Sequence, residues 1–179
     1  LAIKLTDIYE KYTDFYPLTY LHPVYDLRCG ILTLKEKIEK IYGQTAEALY
    51  CREYLTDSLK EKNIDSKINP KQIKNTLLIN GRILFHSELK DKISIAGEEE
   101  LFLNNGEIVA VRILNSKNFE NISLLNNNLF NGFKITHVDV KMINYPWDLI
   151  NCNGTEIIND LSLIEKFEGE KIYDGVHLL

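Results

Sequence analysis

The chain has 179 residues, 45% of them hydrophobic and 26% charged, with 26 acidic against 21 basic side chains and a net charge of −5. This length and apolar share can bury a core without disulfides or metals, and the acidic balance excludes a general attraction to nucleic acid or anionic membrane. No stretch is apolar for long enough to cross a bilayer, and the three cysteines, Cys29, Cys51 and Cys152, are odd in number and lack metal spacing, which points to a reducing cytoplasm.

Leu1 to Leu5 reads as a first strand, and no glycine follows it until Gly30. Between them, Phe15 to Gly30 gathers prolines, aromatics, His22 and Arg28 into a loop that runs into a helix, a composition suited to a ligand site. Thr33-Leu34-Lys35-Glu36 is a capping box. Leu34, Ile38 and Ile41 recur at helical spacing, Glu36 and Lys40 form an i,i+4 pair, and Gly43 closes the helix. A helix N-terminus suits an anion, so a phosphate near Arg28 and Gly30 is one reading, and an ion pair between Arg28 and Asp26 is the other.

Ala46 to Cys51 is a short strand, Arg52 to Lys62 a helical pattern, and Lys60 to Asn75, with Pro70 inside it, a surface loop. Thr76 to Asn80 is a compact buried strand, and Ser87 to Lys90 opens a short helix. In an open α/β sheet ligands gather beyond the carboxyl ends of strands, where Asn80, Gly81 and Arg82 lie. A tight turn with Arg82 in solvent is the alternative. Glu99 to Ile113 is a hairpin turning at Asn105-Gly106. Asn115 to Asn131 is a polar helix-and-loop insertion, His137 to Ile143 alternates as a strand, and a closing helix from about Thr155 turns Ile157, Ile158, Leu161 and Ile164 to the core. Tyr16, Tyr20, Tyr25 and Trp147 are either base-stacking or half-buried lining residues.

Pro17-Leu18-Thr19-x-x-His22-Pro23 resembles part of the nucleotide-binding loop of sugar-1-phosphate nucleotidyltransferases. Leu32 to Lys37, Ile79-Asn80-Gly81-Arg82, Tyr145-Pro146-Trp147-Asp148-Leu149 and Asn153-Gly154 follow in the order of a divergent branch. That branch resembles the N-terminal domain of the bifunctional N-acetylglucosamine-1-phosphate uridylyltransferase and glucosamine-1-phosphate acetyltransferase. The resemblance implies an α/β, Rossmann-like fold with a mixed, mostly parallel sheet flanked by helices and one antiparallel hairpin near 99–113. It implies a nucleoside triphosphate and a sugar 1-phosphate as partners, and Mg²⁺ as cofactor. Arg28 and Arg82 become catalytic candidates; Pro17, Thr19, Tyr20, His22, Gly30, Asn80, Gly81 and Trp147 become substrate-binding candidates; and Asp148 is the metal candidate, beside its simpler use as a helix cap.

The chain also departs from that pattern. The Gly-rich loop after the first strand is absent, the usual lysine position reads Val24, the metal aspartate position reads Asn80 or Gly81, and His22 stands where the branch has arginine. Asp7 is a further polar candidate. Phosphoryl chemistry depends on positioning and charge neutralisation, so these losses bear on turnover. The alternatives are a catalytically degenerate domain that binds a nucleotide or sugar nucleotide beside an acyltransferase, and a purely structural domain. A start at Leu1 and an apolar finish lead us to expect a single domain, 1–179, cut from a longer chain. In the resembled branch a left-handed β-helix, often trimeric, follows, so an oligomer formed through such a part is also an expectation.

Overall fold

The computed structural model describes residues 1–7, 9–115, 117–118 and 127–164, with the backbone alone at 9–10, 117–118 and 127–128. Seven strands form one sheet in the order β3-β2-β1-β5-β7-β6-β9. They are β1 (Ala2–Thr6), β2 (Ala48–Tyr50), β3 (Lys67–Ile68), β5 (Thr76–Asn80), β6 (Glu100–Asn104), β7 (Glu107–Ile113) and β9 (Lys134–His137). Strands β1, β2, β3 and β5 pair in parallel, as do β6 and β9, and β7 alone runs against its neighbours. The sheet is thus mixed and mostly parallel, with its antiparallel hairpin where Asn105 (φ 49°) and Gly106 (φ 85°) supply the left-handed turn. Strands β4 (Gln72–Ile73) and β8 (Lys117–Asn118) form a separate antiparallel pair.

Central strands β1 and β5 are buried almost throughout, as continuous apolar parallel strands are when both faces are covered. One face packs Ile3, Leu5, Leu77 and Ile79 against Ile38, Ile41 and Tyr42 of α1 (Leu34–Tyr42) and Leu59 of α2 (Thr56–Lys62). Leu78, Leu101, Val111 and Phe130 fill the other. The α1 capping box is present in both directions, Thr33 Oγ1 accepting from Glu36 N at 3.1 Å and Glu36 Oε2 from Thr33 N at 2.7 Å. Short helix α3 (Leu89–Lys92) follows the site-bearing end of β5.

Three segments differ from their sequence readings. The 60–75 loop contains β3 and β4, too short to carry a periodic signal. The strand read over His137 to Ile143 lies earlier, at β9; beyond it Val138 and Val140 are buried from an extended segment whose one bridge is Met142 to Ile83. The last helix, α4 (Pro146–Leu161), begins nine residues before Thr155, with Pro146 at its first turn. Its inward face is Leu149, Cys152, Glu156 and Asp160, while Ile157, Ile158 and Leu161 face solvent. Polar partners on α1 and its preceding loop, rather than apolar periodicity, set that rotation. Most of the Asn115–Asn131 insertion lies outside the described residues.

Candidate active site at the carboxyl edge of the sheet

The carboxyl ends of β1, β2, β5 and β6 share one edge with the amino end of β7, so Asp7, Arg52, Asn80, Arg82, Asn104 and Glu107 come together there from distant parts of the chain. Two polar assemblies result.

The first begins immediately after β1. Asp7 is buried; its Oδ2 accepts from Arg52 Nε at 3.1 Å and its Oδ1 from Val24 N at 3.0 Å. Burial raises the Asp7 pKa, against the lowering pull of the Val24 amide and the Arg52 guanidinium. Arg52 also donates to the His22 carbonyl at 2.7 Å and to Tyr54 Oη at 2.5 Å, and lies over the Tyr12 ring at 4.5 Å. One guanidinium therefore fastens the whole 9–22 loop to the end of β2. Within this loop Thr19 is buried and donates to the Tyr12 carbonyl at 2.7 Å, a packing role. Pro17 follows a cis peptide, and Tyr16 and Tyr20 stack with centroids 4.2 Å apart on the exposed side, beside exposed His22. Tyr25, by contrast, is fully buried and unavailable for stacking on a base.

The second assembly follows β5. Gly81 lies where a Cβ would come within 2.7 Å of Tyr25 and 3.0 Å of the Thr6 carbonyl, so β1 and β5 ends approach through it. Asn80 uses both ends of its amide, donating to the Ile108 carbonyl at 2.9 Å and accepting from Arg82 N at 3.0 Å. Arg82 is 2% exposed and donates to Glu107 Oε2 at 2.7 Å and Asn144 Oδ1 at 2.8 Å. Lys11 reaches the other oxygen of Glu107. Burial on its own would raise the Glu107 pKa; the hydrogen bonds from Lys11 and Arg82 outweigh it and hold the carboxyl below its ordinary range. Lys11, Glu107 and Asn144 line an open hollow of about 450 Å³, with Asp14, Asn104 and Tyr145 also in its walls, and Arg82 lies buried behind Glu107 and Asn144. That is room for a sugar phosphate or part of a nucleotide.

Arg28 and Gly30 belong to neither assembly. Gly30 N donates to Asn153 Oδ1 at 2.8 Å, and Ile31 N and Leu32 N to Asp160 Oδ2 at 2.8 and 3.0 Å, so the loop's amides are satisfied from α4. The α1 N-terminus is closed by its own Glu36, and Arg28 is exposed. Asp148 Oδ2 accepts from Asn144 N at 2.8 Å and Tyr145 N at 3.0 Å, the helix-cap use, and exposed Trp147 stacks on Tyr145 at 4.5 Å. Sequence reasoning missed Lys11, Arg52, Glu107 and Asn144. For Arg52 and Glu107 the signal was position, two residues beyond β2 and the first of β7.

A Mg²⁺ site takes one or two carboxylates with substrate phosphate and water oxygens completing an octahedron. Among the described residues no three His, Cys, Asp or Glu side chains gather to hold a metal. Asp148 is a cap and the Asn80 amide is engaged at both ends. Asp148 and Asn80, the positions the resemblance offers for a metal, therefore do not fit one.

A family model described as sugar nucleotidyl transferase matches residues 7–168. No curated protein matches the chain. Solved structures that match include a Bacillus anthracis protein assigned as a glucose-1-phosphate thymidylyltransferase, in complex with sucrose, at 9% identity and TM-score 0.50, covering 87% of this chain and 95% of that one. Another is the inositol-1-phosphate CTP transferase from T. maritima, at 12% identity and TM-score 0.48, covering 83% and 91%. At 9% identity the first likeness is one of fold, the Rossmann-like nucleotidyltransferase sheet.

Proposed function

This chain belongs to the sugar nucleotidyl transferase family, and on that premise we propose that it transfers a nucleotidyl group from a nucleoside triphosphate to a sugar 1-phosphate at the carboxyl edge of its sheet. The observation that carries the reading is the convergence of Lys11 and Arg82 on a single carboxylate, Glu107, at the rim of a hollow of sugar-phosphate size. Glu107 holds two cations in register, and an entering phosphate competes for them. In the transfer, a sugar-phosphate oxygen forms a bond to the α-phosphorus while the bond from that phosphorus to the β-bridging oxygen breaks, releasing pyrophosphate. The attacking oxygen is already ionised at neutral pH, so charge neutralisation and alignment, rather than a general base, are what the protein supplies. Arg82 and Lys11 serve the phosphates. Gly81 and Asn80 fix the backbone that aims Arg82, and Tyr20, His22 and Pro17 are left on accessible surface for base or sugar; Trp147 does not line the hollow and has no part in this reading. Arg28 and Gly30 have no part in this reading, nor does Asp148 as a metal ligand.

A second reading, binding without turnover, is favoured by one observation: the segment after β1 holds no glycine and is fastened through Asp7 to Arg52, so it offers no crowd of free amides for a triphosphate. The finer likeness to the uridylyltransferase half of the bifunctional enzyme rests on the motifs around Pro17, Leu32 and Trp147 and is part of the proposal. A panel of triphosphates and sugar 1-phosphates, assayed for nucleotide-sugar product with Mg²⁺ present, tests the transfer. Product from one pair supports it; a rise in melting temperature with a sugar nucleotide but no product from any pair assigns the second reading. Ligand at 100 times its dissociation constant adds about 2.7 kcal/mol, a readily visible shift.

A further inference from the structure

Helix α4 is turned the opposite way from an ordinary surface helix. Its buried side carries Glu156 and Asp160, while Trp147, Ile150, Ile157, Ile158 and Leu161 are exposed, from 39% for Ile157 to 74% for Ile150. No exposed position between Trp147 and Leu161 carries a charge, in a chain that is 26% charged. A solvated helix face is normally its most charged one, and an apolar stripe of this length marks an interaction surface.

The stripe is also symmetric. Taking Gly154 as centre, Ile150 and Ile158 lie four residues to either side, and Trp147 and Leu161 seven. At 3.6 residues per turn all five fall on one face. A two-fold interface is self-complementary, residue i meeting j and j meeting i, and this pattern meets that requirement for an antiparallel pair. We propose that α4 is the interface with a second copy of this chain, the two helices crossing antiparallel about an axis through Gly154. Ile150 then packs on Ile158 of the second copy, Trp147 on its Leu161, and the two glycines, with nothing within 4 Å of an added Cβ, let the backbones approach at the centre. Because the exposed face is uncharged, two copies bring no like charges together. Five large apolar side chains, 39–74% exposed, supply the apolar centre that such an interface needs.

The test is sedimentation velocity of the full chain over a concentration series, with Ile150→Glu, Ile158→Lys and the two combined. The expected result is a mass rising from 20.8 kDa towards twice that value, at least tenfold weaker association in each single variant, and recovery in the combined variant, where the introduced carboxylate meets the introduced ammonium across the axis. Both positions face solvent in the monomer, so circular dichroism should match the wild type. A monomer at every concentration, association indifferent to the single substitutions, or loss without recovery in the combined variant each overturns the proposal.

Discussion

Lys37 is buried between two carboxylates, Asp160 and, at 2.9 Å, Glu156 Oε2, and both belong to α4. Removing the cation leaves two buried anions facing each other, so Lys37→Met should lower stability by about 3–5 kcal/mol in urea unfolding, and adding Glu156→Gln and Asp160→Asn should recover part of it. The far side of Glu156 binds His86 Nε2 at 2.9 Å. The hydrogen bond to Glu156 raises the His86 pKa against the opposing effect of burial. Burial alone would raise that of Glu156, but His86, Lys37 and Asn159 together bring it to about 2. A raised histidine stabilises the fold below its unfolded value near 6.5 and loses that contribution as pH rises through the folded value. A depressed glutamate stabilises above its ordinary 4.5 and loses that contribution as pH falls towards about 2. Stability from this pair is therefore greatest between pH 4.5 and 6.5, and His86→Ala should flatten the alkaline fall in urea midpoint and shrink the acid limb without abolishing it, since Lys37 and Asn159 still hold Glu156. At the proposed site, Glu107→Gln removes the anion that competes with a phosphate. It should tighten sugar-phosphate binding severalfold by calorimetry, whereas a weakening would make Glu107 a ligand-holding group.

At the level of elements, what the sequence disclosed depends on where the information is stored. The α1 capping box, the buried β5 run and the Asn105-Gly106 hairpin are written in neighbouring residues, and each forms as read. The rotation of α4 is not, because it is fixed by residues more than 120 positions away: Gly30 N on Asn153, and Ile31 and Leu32 on Asp160. Apolar periodicity turned Ile158 and Leu161 inward; the carboxylates that Lys37 and the loop amides require turn them outward. Gly30 is the hinge of that packing. Its φ is +87°, and a Cβ there would lie 2.5 Å from Asp160 Oδ2 and 2.8 Å from the Glu156 carbonyl carbon. Gly30→Ala should therefore cost about 1–3 kcal/mol in thermal or urea unfolding and loosen α4 first, seen as faster amide exchange over 146–161.

Over the whole molecule, a parallel sheet brings the ends of β1, β2 and β5 to one edge, and the single reversed strand, β7, returns Glu107 to it. Arg82 was legible because it lies just past a strand whose apolar run is unmistakable. Lys11 and Asn144 were not, since nothing local distinguishes them from surface side chains; their roles exist only once distant strand ends and loops converge. The same convergence separates Arg82 from Arg28, the other catalytic candidate the resemblance implies. The most direct measurement is pyrophosphate release dependent on both a triphosphate and a sugar 1-phosphate, compared among wild type, Arg82→Ala and Arg28→Ala. The expected result is release by the wild type, a loss on the order of 100-fold in Arg82→Ala, and near-wild-type rates in Arg28→Ala. No release from any substrate pair, or the loss falling on Arg28→Ala instead, would contradict it.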